Sequence, residues 1–270
     1  MRGHRGDSYA YTLTQTLSLE GRGSSMRRGP INEAHSAMNL WLLALLCSAI
    51  GYVVGSIPFS LLLGKLKGVD VRKVGSGNVG AMNLGRLLGR PWFIAAFILD
   101  MLKGLVPTVL AGWLLSEGAS VGVRSESIRN LCWLLSGKCA VLGHNYPVFL
   151  GFRGGKGVST SLGVALGVYP ALTLPAILSF VVWVLGLALT RMSSVGSICG
   201  AILFPVFCVL LAWRQGGAMM DRWPFLLFAF VVAGLVVGKH RANIARILAG
   251  TETKVVRPKS QPGSAPDVQA

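Results

Sequence analysis

A short segment rich in small and polar residues, GSGNVGAMNLGRLLG, occupies positions 75–89 of the chain. Glycine lets backbone N–H groups approach phosphate oxygens closely, and successive N–H groups can form an anion-binding nest. Ser76, Asn78 and Asn83 add hydrogen-bonding groups within this segment. Arg86 adds a planar, charged donor that can bind two phosphate oxygens at once. The segment therefore predicts a binding site for an anionic group such as phosphate.

A second glycine-rich segment, GFRGGKG, follows at positions 151–157. Its three later glycines, Gly154, Gly155 and Gly157, can offer backbone N–H groups to an anion. Lys156 lies among them and supplies a positive charge. The segment is not a nucleotide P-loop, because it is one residue short before its lysine and has glycine where Ser or Thr would bind magnesium. The G-x-G-x-x-G pattern of the first segment likewise lacks the preceding β-strand that a dinucleotide site requires.

Two histidines accompany these glycine-rich segments. His240 belongs to a third polar segment, KHRANIAR at positions 239–246, and is a natural proton acceptor because unperturbed imidazole titrates near neutral pH. If the preceding helix continues through this segment, His240 and Asn243 lie on the same helix face. His144 precedes the second glycine-rich segment, where it can bind a ligand or only its local backbone; both readings stay open.

Long apolar runs separate the three segments, and the composition explains why. The chain is 52% hydrophobic and only 13% charged, and about 20 consecutive apolar residues cross a bilayer as one helix. The alternating pattern of a membrane β-barrel is absent from the sequence. We therefore predict an all-α polytopic membrane protein. Its net charge of +16 then fits cytoplasmic loops, lipid headgroups or an anionic substrate, and not nucleic acid.

The apolar runs predict seven transmembrane helices, of which two are short. The predicted spans cover about 40–63, 91–115, 131–142, two helices within 158–190, 195–213 and 223–237. The uncharged run from Val158 to Thr190 would form one helix of about 50 Å, which is much longer than a hydrocarbon core of about 30 Å. Two short helices that turn near Pro170 fit that core better.

Seven spans place four segments on the same side of the membrane: the loop around Gly75, the loop around Lys156, the short polar break at 191–194 and the basic C-terminal segment with the third polar segment. The positive-inside tendency assigns that side to the cytoplasm, since these segments hold most of the lysines and arginines near the membrane. We predict a membrane domain at 38–254, with disordered tails at 1–37 and 255–270. Met26 and Met38 are alternative start sites, and Met38 suits the charge pattern best.

The polar segments resemble the three cytosolic motifs of one enzyme family, the bacterial acyl-phosphate:glycerol-3-phosphate acyltransferases of the PlsY type. The resembling stretches are GSGNVGAMN with Arg86, GHNYPVFLGFRGGKGVST and HRANIARILAGTETK. The similarity runs from about Gly51 to Lys254, and DMLKG at 100–104 is similar to the family's second-span pattern. Met82 departs from the family, which usually has threonine there.

The resemblance implies acyl transfer from a fatty acyl phosphate to the sn-1 hydroxyl of glycerol 3-phosphate. The products are lysophosphatidic acid and phosphate, and the reaction is the first acylation step of phospholipid synthesis. A mixed carboxylic–phosphoric anhydride is already activated, so no CoA, ATP, metal or other cofactor is needed. The proton acceptor stays open between His240 and the substrate's own phosphate.

The resemblance also assigns roles to single residues. The expected catalytic residues are Ser76, His240 and Asn243. The residues expected to bind acyl phosphate are Asn78, Gly154, Gly155, Lys156 and Gly157. The residues expected to bind glycerol 3-phosphate are Arg86, Lys103, Asn83 and His144. The residues expected to be structural are Asp100 and Glu252.

The implied location is the bacterial cytoplasmic membrane, with several membrane crossings and the active site facing the cytoplasm. The implied partners are the two substrates, membrane lipids and, as a further candidate, the enzyme that makes acyl phosphate. The main alternative is a transporter for a phosphorylated metabolite, but transporter sites usually lie at the membrane midplane between repeated halves. A CoA-dependent acyltransferase is a weaker alternative, because the chain has no His-x4-Asp pair.

Overall fold

The computed structural model describes residues 30–117, 126–215 and 222–255. These ranges contain helices and no β-strand, which confirms the predicted all-α fold class. The helices in chain order are α1 (Pro30–Gly55), α2 (Phe59–Leu66), α3 (Ala81–Leu88), α4 (Arg90–Glu117), α5 (Glu126–Asn145), α6 (Val158–Gly167), α7 (Thr173–Thr190), α8 (Ser193–Arg214), α9 (Trp223–Lys239) and α10 (Arg241–Leu248).

Several of these helices are long enough to cross a membrane. In the described ranges, 4 segments have the necessary length and apolar composition: Leu40–Leu66, Arg90–Leu115, Thr173–Thr190 and Ser193–Arg214. The pair α9 and α10, bent by 57°, brings the total to 5 if it counts as one broken span. The helices α5 and α6 are not among them, so the number of seven spans stays a prediction.

The structure tests two boundaries that the sequence predicted. The uncharged run at 158–190 forms two helices, α6 and α7, which confirms the predicted turn near Pro170. At the other end, α1 already begins at Pro30, ahead of the predicted start of the membrane domain at 38, and the predicted domain bounds stay a prediction. The remaining tail predictions, at 1–29 and 256–270, lie outside the described residues.

Glycines allow the helices around the polar segments to touch backbone to backbone. A Cβ atom on Gly55 in α1 would lie 2.2 Å from the Ala140 oxygen in α5. One on Gly163 in α6 would lie 2.0 Å from the Met101 oxygen in α4. Lipid tails are as apolar as leucine side chains, so close van der Waals packing of small residues holds such helices together. The glycines thus fix the distances between α1 and α5 and between α4 and α6.

The apolar core lies between α5, α6, α7, α8 and α9. Its fully or almost fully buried members include Val141, Val164, Leu172, Phe204 and Val232. Large apolar side chains are exposed on the outer faces of the long helices, among them Leu45, Ile50, Val109, Leu185 and Leu210. An apolar exterior around a packed interior is what lipid as the surrounding solvent requires.

Replacing Gly55 by alanine is expected to lower the midpoint of thermal unfolding of the purified protein in detergent by several degrees. The added Cβ would lie 2.2 Å from the Ala140 oxygen, and overpacking of this kind costs about 1–3 kcal/mol. Gly234→Ala is the matched control, because a Cβ there meets no atom within 4 Å. This control is expected to keep or slightly raise the midpoint. Equal midpoints for both variants would contradict the close contact of α1 with α5.

Candidate active site

A polar cavity of about 450 Å³ lies where the three predicted segments meet. The first segment contributes Ser76, Asn78, Asn83 and Arg86. The second contributes Lys156 and Gly157, and the third contributes Lys239, His240, Asn243 and Arg246. Asp100, His144 and Glu252 also line the cavity. Side chains that are far apart in sequence therefore surround a single space large enough for small anionic molecules.

Asn83 organises the loop of the first segment through all the hydrogen-bonding groups of its amide. Its Nδ2 donates to the Val71 oxygen at 2.9 Å and to the Val74 oxygen at 3.2 Å. Its Oδ1 accepts from the backbone N–H of Ser76 at 3.0 Å. Gly75 adopts φ +65°, a left-handed conformation that side chains rarely adopt. Asn83 therefore holds the loop in place, while its expected role in binding glycerol 3-phosphate stays a prediction.

Helix α3 presents Arg86 to the cavity. Its Nη2 donates to the Thr253 oxygen at 3.3 Å, so the guanidinium lies between the first segment and the chain that follows α10. Burial lowers the pKa of Arg86, partly offset by the nearby carboxylate of Glu252, and a guanidinium stays charged in proteins. Met82 on the same helix lines the cavity with a thioether, where a threonine would offer a hydroxyl.

The glycines of the second segment pack the loop against the end of α5. A Cβ on Gly154 would lie 2.2 Å from the His144 oxygen, and one on Gly155 would lie 2.1 Å from the His144 Nε2. Neither glycine lines the cavity, unlike Gly157, which has φ +79° and directly precedes α6. Of the three glycines expected to bind phosphate, the structure places Gly157 at the cavity and gives the other two a packing role.

The N-terminus of α6 and the ammonium group of Lys156 form the cationic side of the second segment. Val158 and Ser159, the first residues of α6, line the cavity, and helix N-termini favour anions. The Lys156 ammonium donates a hydrogen bond to Asn243 Oδ1. Burial lowers the pKa of Lys156 to about 8, with Arg246 and Arg86 adding repulsion and Glu252 opposing it.

The third segment bends at His240 instead of continuing as a straight helix. The axes of α9 and α10 differ by 57°, yet both His240 and Asn243 line the cavity. His240 Nδ1 lies 2.7 Å from the Val236 oxygen. Since a carbonyl oxygen only accepts, Nδ1 carries the hydrogen and Nε2 keeps the lone pair of the neutral ring. The tautomer that the backbone selects is therefore the one in which Nε2 can accept a proton.

The carboxylate of Glu252 connects three side chains at the edge of the cavity. Oε1 accepts from Ser194 Oγ at 2.7 Å and from Asn243 Nδ2 at 2.6 Å, and Oε2 accepts from Arg246 Nε at 2.8 Å. Burial alone would raise the pKa of Glu252, but these three hydrogen bonds together lower it. Because Asn243 Nδ2 is held by Glu252, its Oδ1 faces Lys156. The arrangement agrees with the structural role expected for Glu252.

Asp100 and Lys103 form an ion pair beside the cavity. Lys103 Nζ lies 2.8 Å from Asp100 Oδ1 and donates to the Ile57 oxygen at 2.8 Å. Lys103 does not line the cavity, and its expected role in binding glycerol 3-phosphate stays a prediction. Asp100, expected to be structural, forms this ion pair and also lines the cavity together with His144.

Several residues that line the cavity were not predicted from the sequence as site residues, among them Lys239, Arg246 and Ser194. Lys239 donates to the Asn145 oxygen at 2.9 Å and lies 3.7 Å from the Tyr146 ring centroid. Arg246 pairs with Glu252, with 2.8 Å between Nε and Oε2. Ser194 lies in the first turn of α8, where a short polar stretch interrupts two apolar runs, and that interruption is the signal that could have identified it.

Comparisons with known proteins give a consistent result. The family model described as glycerol-3-phosphate acyltransferase matches residues 45–250. A Geobacter sulfurreducens glycerol-3-phosphate acyltransferase is 43% identical over 212 residues, covering 78% of this chain and 96% of that protein. An Aquifex aeolicus glycerol-3-phosphate acyltransferase is 40% identical over 210 residues, covering 77% of this chain and 97% of that protein.

Two solved structures share the fold. Both are crystal structures of PlsY (YgiH), described as an integral membrane glycerol 3-phosphate acyltransferase, and each is 38% identical to this chain. The glycerol 3-phosphate form has a TM-score of 0.65, covering 79% of this chain and 96% of that one. The lysophosphatidic acid form has a TM-score of 0.63, covering 78% of this chain and 94% of that one.

Acylation of the Lys156 amine by an amine-reactive reagent is expected to rise with a midpoint near pH 8. Burial penalises the charged amine, so the reactive neutral form appears at lower pH than for an ordinary lysine. Peptide mass spectrometry of protein labelled at stepped pH measures this midpoint. Saturating inorganic phosphate should move the midpoint upward, because a bound anion favours the ammonium form. A midpoint near the ordinary value of 10.5 would contradict the buried setting.

Proposed function

Since the chain belongs to the glycerol-3-phosphate acyltransferase family, we propose that it transfers a fatty acyl group from an acyl phosphate to the sn-1 hydroxyl of glycerol 3-phosphate. The products are then 1-acyl-glycerol 3-phosphate, a lysophosphatidic acid, and inorganic phosphate. The related PlsY structures in glycerol 3-phosphate and lysophosphatidic acid forms support this acceptor and this product.

The observation that carries the proposal is the junction of the polar cavity with an apolar pocket. The two spaces share Phe97, Val158, Trp183 and Ser197 in their walls. The apolar pocket continues between α6, α7, α8 and α9, so an acyl chain can lie there while its reactive head group reaches the cavity. A substrate that is anionic at one end and a hydrocarbon at the other fits this junction.

The cations of the cavity suit two phosphate-bearing reactants. For the acyl phosphate we propose Lys156, Gly157 and the N-terminus of α6, with Ser76 and Asn78 as further donors. For the phosphate of glycerol 3-phosphate we propose the guanidinium of Arg86, which also lines the cavity. The hydrogen bond between Lys156 and Asn243 then fixes the ammonium beside the reacting groups.

The chemistry needs one bond formed, one bond broken and one proton moved. The sn-1 oxygen attacks the carbonyl carbon of the acyl phosphate, and the bond from that carbon to the phosphate oxygen breaks. Phosphate leaves with the bonding electron pair, and positive charge from Lys156 stabilises it. The hydroxyl proton goes to the lone pair on His240 Nε2 or to the departing phosphate, and the geometry of His240 favours the first route.

We further propose that the protein resides in a bacterial cytoplasmic membrane with the cavity on the cytoplasmic side. The cations Arg86, Lys156, Lys239 and Arg246 all lie around one cavity, and positive charge concentrates on the cytoplasmic side of membrane proteins. A fatty acyl phosphate would then arrive from its synthesising enzyme in the cytoplasm, while the product enters the bilayer directly.

Purified protein in detergent is expected to convert acyl phosphate and glycerol 3-phosphate into equal amounts of lysophosphatidic acid and phosphate. Acyl-CoA in place of acyl phosphate should give no product, because the proposed catalytic charges act on a phosphate leaving group. Thin-layer chromatography of labelled glycerol 3-phosphate and a phosphate assay measure the two products. Comparable turnover with acyl-CoA would refute the donor. Uptake of glycerol 3-phosphate by proteoliposomes without any acylation would favour the transporter.

The pH profile of kcat/KM is expected to fall above about pH 8 in the wild type, because Lys156 then loses its charge in the free enzyme. Lys156→Arg should extend activity to higher pH, since a guanidinium keeps its proton. Lys156→Ala should lower kcat/KM by about 100-fold or more. The exposed Lys73 gives the control, and Lys73→Ala should leave the profile unchanged. Identical alkaline limbs for wild type and Lys156→Arg would assign the titration to another group.

A further inference from the structure

One wall of the cavity differs from the rest in its hydrogen-bonding chemistry. Asp100 and His144 both line the cavity and are only 1% and 6% exposed. Among the residues that the structure describes, neither Asp100 Oδ2 nor His144 Nδ1 has a protein hydrogen-bond partner. Buried polar atoms are nearly always hydrogen-bonded, since an unmet one costs free energy. This wall is therefore built to receive a ligand group.

Glu252, the other carboxylate at the cavity, differs from Asp100 in how its oxygens are hydrogen-bonded. Glu252 uses both oxygens on protein donors, namely Ser194, Asn243 and Arg246. Asp100 uses only Oδ1, which receives the ammonium of Lys103 at 2.8 Å. Glu252 thus completes a network inside the protein, whereas Asp100 has one oxygen, Oδ2, that no protein group in the described ranges uses.

The unpaired oxygen of Asp100 determines which kind of ligand group can bind beside it. A phosphate dianion has no hydrogen to donate to a carboxylate and is repelled by its charge. A hydroxyl group can donate to Asp100 Oδ2 and can also bond with His144 Nδ1. The separation of 3.8 Å between His144 Nδ1 and Asp100 Oδ1 is too long for a direct hydrogen bond. Asp100 Oδ2 and His144 Nδ1 can therefore both form hydrogen bonds with a ligand group that lies between or beside the two side chains.

We propose that Asp100, together with His144, binds the secondary hydroxyl of glycerol 3-phosphate and selects acceptors that carry it. This inference rests on the function proposed above. Of the two hydroxyls of glycerol 3-phosphate, the reacting one must meet the acyl phosphate beside Lys156 and the lone pair of His240 Nε2. The secondary hydroxyl is the remaining donor, and Asp100 Oδ2 is an acceptor that no protein group in the described ranges uses.

Two contacts hold Asp100 for this role. Lys103 pairs with Oδ1, so the free oxygen is Oδ2. The hydroxyl of Thr160 in α6 donates to the Asp100 backbone oxygen at 2.9 Å, which fixes this turn of α4 against α6. The carboxylate is thereby oriented before any ligand binds, and an oriented charged acceptor discriminates strongly between hydroxyl-bearing and deoxy ligands.

The wild-type enzyme itself provides the first test. Its kcat/KM is measured for glycerol 3-phosphate and for propane-1,3-diol monophosphate, which keeps the reacting hydroxyl and the phosphate but lacks the secondary hydroxyl. The deoxy substrate is expected to react about 10- to 100-fold less efficiently. Equal kcat/KM for both substrates would overturn the inference and leave the proposed function intact. Absence of acylation with either substrate would instead refute the proposed function.

The second test uses Asp100→Asn, in which an amide NH2 group can replace the free oxygen while the other oxygen stays near Lys103. The variant should lose most of its activity with glycerol 3-phosphate and little with the deoxy substrate, so that the ratio of the two kcat/KM values falls toward one. Thr160→Val is the matched control, because it removes the hydrogen bond to the Asp100 backbone without changing the carboxylate. Because this hydrogen bond helps to orient Asp100, the variant should lower the ratio of the two kcat/KM values by less than Asp100→Asn does. Equal losses on both substrates in Asp100→Asn would overturn the inference and assign Asp100 to folding or to the reacting hydroxyl.

Discussion

The buried carboxylate of Glu252 fixes the geometry on which the cavity depends. It receives hydrogen bonds from α8 through Ser194 and from α10 through Asn243 and Arg246, so it ties together two helices and the chain that follows them. The amide of Asn243 then has a single orientation, with its oxygen toward Lys156. A negative charge at the end of the membrane domain therefore positions the ammonium of a distant glycine-rich loop. Without the negative charge of Glu252, the positive charges of Arg86, Lys156 and Arg246 would repel one another in a buried space.

The same charges explain why the cavity favours anions. Burial lowers the pKa of both Arg86 and Lys156, which shows that their positive charges are poorly solvated. The N-terminus of α6 adds the partial positive charge of its free N–H groups. A phosphate dianion replaces the missing hydration and neutralises these charges at once, so the free energy that burial costs the protein is recovered when the anion binds.

The sequence predicted the features that depend on composition and span length, and it failed where side-chain direction decides. Membrane-length apolar runs and the break within 158–190 follow from the bilayer thickness, and the structure shows the corresponding helices. Gly154 and Gly155 look like phosphate ligands in sequence, but the backbone oxygen of His144 and the ring of Pro147 lie against Gly154, and the imidazole of His144 lies against Gly155. A local sequence pattern shows that a glycine is present, but it does not show which neighbouring atoms leave no room for a side chain there. Likewise, the sequence does not show that Lys103 donates to the carbonyl of Ile57, because Ile57 lies far away in the chain between α1 and α2.

The carbonyl of Ile57 connects the fold to the chemistry of the site. Pro58 interrupts the first span between α1 and α2 and leaves the carbonyl of Ile57 outside regular helix, where buried backbone needs a partner. Lys103 reaches across from α4 to donate to this carbonyl and pairs with Asp100 in the same contact. The same ammonium group therefore links the break in the first span to a carboxylate at the cavity. Because this ammonium pairs with only one of the two carboxylate oxygens, Asp100 Oδ2 is left without a protein hydrogen-bond partner in the described ranges.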